Sequence, residues 1–164
     1  MSNVLDQNFL VFEIAGKEFA MNLSIVDEVL PAAAITQVPN SPPFLMGLAG
    51  VRGKVMGVIN GAARYGLSPS LCSHFIICKV RENITAIAVD RPVLAGQMKV
   101  RKVDELEKND LQKNIQVDPK FLREAYELIQ ETEDKNLIST GRKFFEIDAN
   151  LFVSDEMASK VGEA

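Results

Sequence analysis

The chain has 164 residues, of which 47% are hydrophobic and 24% charged, values typical of a globular domain rather than of a disordered or fibrous protein. Its net charge of −4 argues against binding to nucleic acid or to anionic lipid, because both require a concentrated cationic surface. No stretch approaches the ~20 apolar residues of a membrane span, and no cationic segment followed by an apolar run begins the chain. We therefore expect a cytoplasmic protein with no direct membrane insertion.

Short apolar runs separated by turn residues predict three β-hairpins. The first joins residues 9–14 to 18–21 and turns at Gly16. The second spans residues 44–60 around the tight turn Val51-Arg52-Gly53-Lys54, and the third joins residues 75–80 to 84–89. Many short strands at this spacing favour a sandwich or barrel.

Further short elements are predicted between and after the hairpins. A short amphipathic helix is expected to begin at a Ser24 cap and to end at Pro31. The other expected elements are strands at 35–38 and 93–100 and a helical turn at 62–67.

The C-terminal third contains the strongest helix signal in the sequence. After a charged connector at 102–113, Asp118 is a suitable helix cap and Pro119 suits the first turn, so a helix is predicted over 118–133. One face of that helix is apolar. Its residues are Phe121, Leu122, Ala125, Leu128 and Ile129. A last strand at 143–147 and a short helix from Ser154 complete the prediction.

The sequence contains little that suggests catalysis. Its single histidine, His74, has no spaced cysteine or histidine partners, which argues against a hydrolytic triad or a metal site. The glycines between Gly47 and Gly57 do not form a G-x-G-x-x-G motif, and Val55 follows Gly53-Lys54 where a P-loop requires Ser or Thr. We therefore expect no catalytic residues, no cofactor and no metal.

Two charged residues are candidates for partner binding. Glu28 lies in the predicted short helix, and Arg52 lies in a tight turn whose flanking glycines leave its side chain uncovered. A guanidinium group can hold a carboxylate bidentately, and arginine is enriched at interface hot spots. The alternative is a surface salt bridge contributing about 0 to 1 kcal/mol, which residue types alone favour.

The order of these motifs resembles the CheW-like family over most of the chain. The segments that carry the resemblance are residues 9–20, 26–30, 35–47, 47–60, 84–90 and 141–148. Segment 47–60 is similar to a signature in which an Asn-Leu-Arg-Gly turn precedes an apolar strand ending in Pro-Val-Ile-Asp. It departs from that signature at Gly50, Gly57 and Asn60, so the turn is expected to be looser and one negative charge is missing.

The resemblance implies a mainly β fold of two SH3-like, five-stranded β-barrel lobes with short helices. It also implies a single domain over residues 1–164 with interleaved lobes and a helical insertion at about 118–133. The implied function is a non-enzymatic adaptor between chemoreceptors and a CheA-type histidine kinase. Its implied partners are the regulatory domain of that kinase and the receptor tip.

The family's binding residues are carried over by position. Glu28 and Arg52 would form a charged pair near the junction of the barrels, with Val26 beside it. Val51 and Gly53 would flank the arginine, and Val89 and Asp90 would flank the receptor groove.

Three alternatives remain open from the sequence. The long 118–133 helix is similar to that of CheW-like proteins in type IV pilus chemosensory systems. An apolar cleft between the lobes would suit a small-molecule sensor, or an enzyme in which His74 or an acidic pair acts on the ligand. Exposed strand edges would suit an oligomeric scaffold that pairs with its own copies.

Overall fold

Two five-stranded sheets make up most of the protein in a computed structural model, which describes residues 3–64, 72–115 and 119–149. The prediction of a mainly β fold with two five-stranded lobes is confirmed. One sheet closes into a barrel and the other is a curled sheet, and they are called here the first and second lobes.

The first lobe is a closed barrel with the strand order β1-β2-β10-β9-β8. Its strands are β1 (Val4–Ile14), β2 (Lys17–Asn22), β8 (Arg91–Lys102), β9 (Leu122–Glu131) and β10 (Leu137–Ile147). Neighbouring strands are antiparallel except β2 and β10, which pair in parallel. The barrel therefore combines strands from both ends of the described chain.

The second lobe is inserted between β2 and β8 and has the order β3-β6-β7-β5-β4. Its strands are β3 (Val26–Pro31), β4 (Leu45–Val51), β5 (Lys54–Asn60), β6 (His74–Val80) and β7 (Asn83–Val89). A 3₁₀ helix, Leu23–Ile25, links the lobes, α1 (Gly61–Arg64) follows β5, and α2 (Glu105–Ile115) lies between β8 and β9.

One backbone bridge ties the connection between β3 and β4 to the edge strand β4. After β3 the chain crosses to β4, where the Thr36 and Leu48 amides each donate to the other's carbonyl at 2.8 Å. Gly47 lies beside this bridge with a φ of 146°, a conformation that side chains rarely adopt. The bridge therefore holds the segment after β3 against the β4 edge of the sheet.

The three predicted hairpins are confirmed, and each has a two-residue turn. Both central residues of each turn have positive φ, as a type I′ turn requires. The turns are Ala15-Gly16, Arg52-Gly53 and Arg81-Glu82. A type I′ turn follows the twist of the paired strands, so it fixes the direction in which the turn residues project.

The apolar core has three parts. One cluster fills the barrel and contains Phe9 and Val11, and another fills the second lobe and contains Phe75 and Ile77. The largest cluster lies where the lobes meet and contains residues of both, including Ile76 of β6. The lobes therefore share an apolar core.

The predicted helical insertion at 118–133 is wrong. A 3₁₀ turn, Pro119–Phe121, leads directly into strand β9, which pairs with both β8 and β10. The apolar spacing matched a helix because β9 buries residues on both of its faces: Ala125 packs in the central cluster and Tyr126 in the barrel. Pairing on both sides overrides the helical pattern.

The helix of this region lies instead in the segment predicted as a charged connector. Helix α2 has no buried residue, so its sequence lacks a strong apolar stripe. Leu111 and Ile115, both half-buried, pack against the central cluster. Ion pairs add to this contact, since Glu107 contacts Arg101 and Lys143, and Lys108 lies 3.7 Å from Glu124.

Two smaller predictions are also wrong. The amphipathic helix predicted from Ser24 is a 3₁₀ turn followed by strand β3, and the strand predicted at 35–38 is reduced to the Thr36 bridge. The final strand is longer than predicted, since β10 begins at Leu137. The helix predicted from Ser154 and the end of the 62–67 turn lie outside the described residues.

Replacement of Gly47 by alanine tests the bridge between Thr36 and Leu48. A Cβ atom there would overlap the Thr36 carbonyl oxygen, and φ would be strained. We expect Gly47→Ala to lower the free energy of unfolding by about 2–4 kcal/mol, measured by urea denaturation. The matched control is Gly50→Ala on the same strand, where a Cβ meets no atom within 4 Å. Equal stability of the two variants would contradict this account.

Candidate functional site

Glu28 and Arg52 form an ion pair across the second lobe. Glu28 lies on β3, at one edge of the sheet, and Arg52 lies in the turn between β4 and β5, at the other edge. The Arg52 Nε atom donates a hydrogen bond to Glu28 Oε1 at 2.6 Å. The predicted pairing of these two residues is thus present in the structure.

The pair is accessible to solvent. The side chain of Arg52 is 69% exposed and that of Glu28 is 28% exposed. The hydrogen bond that Arg52 donates to Glu28, together with the negative charge of that carboxylate, raises the pKa of Arg52. Because exposed ion pairs contribute little to stability, the main effect of the contact is to orient the arginine.

The terminal nitrogens of Arg52 remain available. Among the described residues, only Glu28 bonds to this side chain, through Nε. A guanidinium group has five N–H donors in a planar fork. The two terminal nitrogens can therefore bind a carboxylate of another molecule while Nε stays on Glu28.

Val55 is a candidate residue that sequence reasoning missed. It follows the turn on β5, pairs with Gly50 and is 74% exposed. Strand alternation is the signal that could have found it, because Met56 beside it is buried. Gly53 is also uncovered, with open space around its Cβ position. Glu28, Arg52, Gly53 and Val55 are called here the hairpin-tip surface.

The three valines predicted to bind partners are less exposed than Val55. Val51 is 7% exposed and packs in the second lobe, and Val89 is fully buried in the central cluster. Val26 is half-buried and packs against the same cluster. The side chains of Val51 and Val89 therefore hold the site in place, and in this conformation no partner can contact them.

Asp90 joins the two lobes. Its Oδ2 atom accepts a hydrogen bond from the Ala15 amide at 2.9 Å, and its own amide donates to the Glu13 carbonyl at 2.9 Å. Its carbonyl accepts from Ser73 Oγ at 2.7 Å and lies 3.2 Å from His74 Nδ1. These contacts place Asp90 between the first hairpin and β6, and none of them reaches the hairpin-tip surface.

The described residues show neither a cluster of metal ligands nor a membrane-spanning helix. Within the described ranges, no three His, Cys, Asp or Glu side chains are grouped so that they could hold a metal ion. None of the helices in those ranges combines the length and apolar character needed to cross a bilayer.

The architecture defines a class of two-lobed β-proteins, in which a five-stranded lobe is inserted into a closed five-stranded barrel. The model of the CheW-like domain family matches residues 8–133, and the chain belongs to this family.

Sequence relatives carry chemotaxis names. The "Probable chemotaxis protein CheW" of Rhizobium etli is 33% identical over 88 residues, which cover 52% of this chain and 57% of the relative. The "Chemotaxis protein CheW" of Rhizobium meliloti is 24% identical over 87 residues, covering 51% and 56%. The aligned segments thus span little more than half the length of these relatives.

A solved structure supports the fold over nearly the whole chain. The scaffolding protein TtCheW of Thermoanaerobacter tengcongensis has a TM-score of 0.65 and 20% identity, covering 93% of this chain and 96% of its own. The first and second lobes therefore follow the CheW fold.

Substitution of Asp90 tests whether its role lies in joining the lobes. Asp90→Ala leaves the half-buried Ala15 amide without its acceptor, so we expect a loss of about 1–3 kcal/mol in the free energy of unfolding. Asp90→Asn keeps a side-chain oxygen and should lose less. Urea denaturation measures both values. Full stability of Asp90→Ala together with weaker partner binding would support the predicted binding role of Asp90 instead.

Proposed function

We propose that the protein is a non-enzymatic adaptor of a bacterial chemosensory array. It holds the tip of a chemoreceptor and the regulatory domain of a CheA-type histidine kinase side by side in the cytoplasm. Membership of the CheW-like family supports this proposal, as do relatives whose names describe chemotaxis and scaffolding proteins. The observation that carries it is the exposed Glu28–Arg52 pair at the tip of a fixed hairpin.

The adaptor acts through binding energy alone. A body that binds two larger proteins at once raises the concentration of one near the other, without making or breaking a covalent bond. The gain is largest when the body is rigid, because a fixed geometry reduces the ordering cost of the second contact. The shared core between the lobes supplies that rigidity.

The hairpin-tip surface has the composition of a binding site. Arg52 supplies charged donors, and Val55 places an uncovered apolar side chain close to it. Interfaces commonly combine a buried apolar centre with arginine contacts that set register and specificity. A partner with a carboxylate beside an apolar side chain would match this surface. Glu28 would repel any acidic side chain of the partner that lies next to it.

The type IV pilus pathway was proposed from the long helix at 118–133. Since β9 occupies that segment, the described structure offers no feature that favours this subclass over a flagellar-type pathway.

Substitution of Arg52 tests the proposal. Arg52→Asn removes the guanidinium, and asparagine tolerates the positive φ of 50° at this turn, so the fold should be kept. We expect binding to the regulatory domain or to the receptor tip to weaken by on the order of tenfold, measured by calorimetric titration. Arg52→Glu should weaken binding further, because the new carboxylate would repel the carboxylate of the partner.

The matched control is Lys54→Gln. It removes an exposed cation two residues away and leaves the ion pair intact. Affinity for both partners that is unchanged in Arg52→Asn and Arg52→Glu, with unfolding curves equal to that of the native protein, would reject the site.

A further inference from the structure

A cavity of about 280 Å³ opens between the two lobes. Strands β2, β9 and β10 of the first lobe, the end of β6 in the second lobe and the 3₁₀ turn that links the lobes all contribute to its wall. The apolar lining residues are Met21, Ile25, Val80, Ile147 and Ala149. The cavity shares no residue with the hairpin-tip surface.

Charges of both signs lie around this cavity. The charged lining residues are Lys79, Arg81, Arg123 and Glu146. Burial raises the pKa of the Glu146 carboxyl; Arg123 opposes this effect, and the nearby carboxylates of Asp148 and Glu124 add to it. Because cations and carboxylates meet here, charge does not select a small anion as the occupant.

Part of the apolar wall is left uncovered. Ile25, in the 3₁₀ turn, and Ala149, after β10, are only half-buried, whereas Met21, Val80 and Ile147 are almost fully buried. An apolar group in the cavity would cover Ile25 and Ala149 and would itself leave water, which is the main favourable contribution to such contacts. The wall therefore favours an apolar occupant.

The chain itself continues from this wall. Ala149 is the last described residue before residues 150–164, and the Asp148 amide fixes the chain just ahead of it by donating a hydrogen bond of 2.7 Å to the Phe121 carbonyl. The sequence that follows is Asn150-Leu151-Phe152-Val153, in which three consecutive residues are apolar. Since consecutive Cα atoms are about 3.8 Å apart, the Cα atom of Phe152 can lie at most about 11 Å from that of Ala149.

The cavity has room for an aromatic ring. An apolar cavity of about 150 Å³ is already large enough to bind benzene. The volume between the lobes is about 280 Å³, and Phe152 is the largest apolar residue that follows Ala149 in the sequence. Reach and size therefore both point to Phe152 as the occupant.

We propose that this cavity is the docking site of residues 151–153 of the same chain, with the side chain of Phe152 inserted against Ile25 and Ala149. The docked segment contacts both lobes and so joins them without a covalent bond. It also closes the cavity to small molecules. This inference is independent of the proposed adaptor function.

A tryptophan introduced at position 152 tests the site, because the native chain contains no tryptophan. In the full-length variant Phe152→Trp, we expect acrylamide to quench the indole fluorescence several-fold less efficiently than in the control Val161→Trp. The control places the same group further along the same segment, beyond the three apolar residues. Urea denaturation of both variants shows that the fold is kept.

Nuclear magnetic resonance of a second variant locates the ring. An aromatic ring shifts the resonances of the groups that it packs against, and Phe152→Leu removes the ring while keeping an apolar side chain. We expect this change to move the methyl resonances of Ile25, Val80 and Ile147 more than those of other residues. The control Val161→Ala should leave these methyl resonances in place.

Protection of the indole together with methyl changes at the cavity would support the proposal. Equal quenching of the two tryptophan variants, or methyl changes centred away from the cavity, would overturn it. Protection that increases with protein concentration would also overturn it, because the segment would then bind a second copy of the chain. Should tryptophan prove too large to enter, the comparison of Phe152→Leu with Val161→Ala decides alone.

Discussion

Burial of both faces of the strands between the lobes is the constraint on which the rest of the structure depends. Along β1, Phe9 and Val11 face the barrel interior while Leu10 and Phe12 face the other lobe. The same alternation occurs on β6 and β7. Because a slip of one residue would exchange the two sets of side chains, each strand is fixed in register by two cores at once. Strands β1, β6 and β7 therefore require apolar residues at consecutive positions.

Polar contacts then hold surface features at fixed points on this body. Asp90 joins the first hairpin to the end of β7, and the Glu28–Arg52 pair spans the two edges of the second lobe. Arg52 lies in a turn and Asp90 follows the end of β7, so backbone geometry determines their direction, whereas Glu28 lies within β3. The hairpin-tip surface is thus positioned by an apolar framework that is itself inaccessible to a partner.

The sequence predicted the hairpins well because each depends on local signals. Alternating apolar runs and turn residues such as Ala15-Gly16 and Arg52-Gly53 determine them almost alone. The sequence did not predict β9, whose apolar residues also suit a helix, or α2, which is held by half-buried Leu111 and Ile115 and by ion pairs with distant residues such as Arg101. Glu28 and Arg52 were candidates from their residue types, and their pairing followed from the resemblance to a family. Val55 was missed, although strand alternation could have shown that its side chain is exposed.

The short passage from β7 to β8 has a mechanical consequence. β7 ends at Val89 and β8 begins at Arg91, so a single residue separates the lobes there, and the 3₁₀ turn Leu23–Ile25 makes the other crossing. With two covalent crossings this short, the lobes cannot swing like parts joined by a hinge. A displacement or rotation of one lobe would therefore move the other lobe with it, as part of one rigid body.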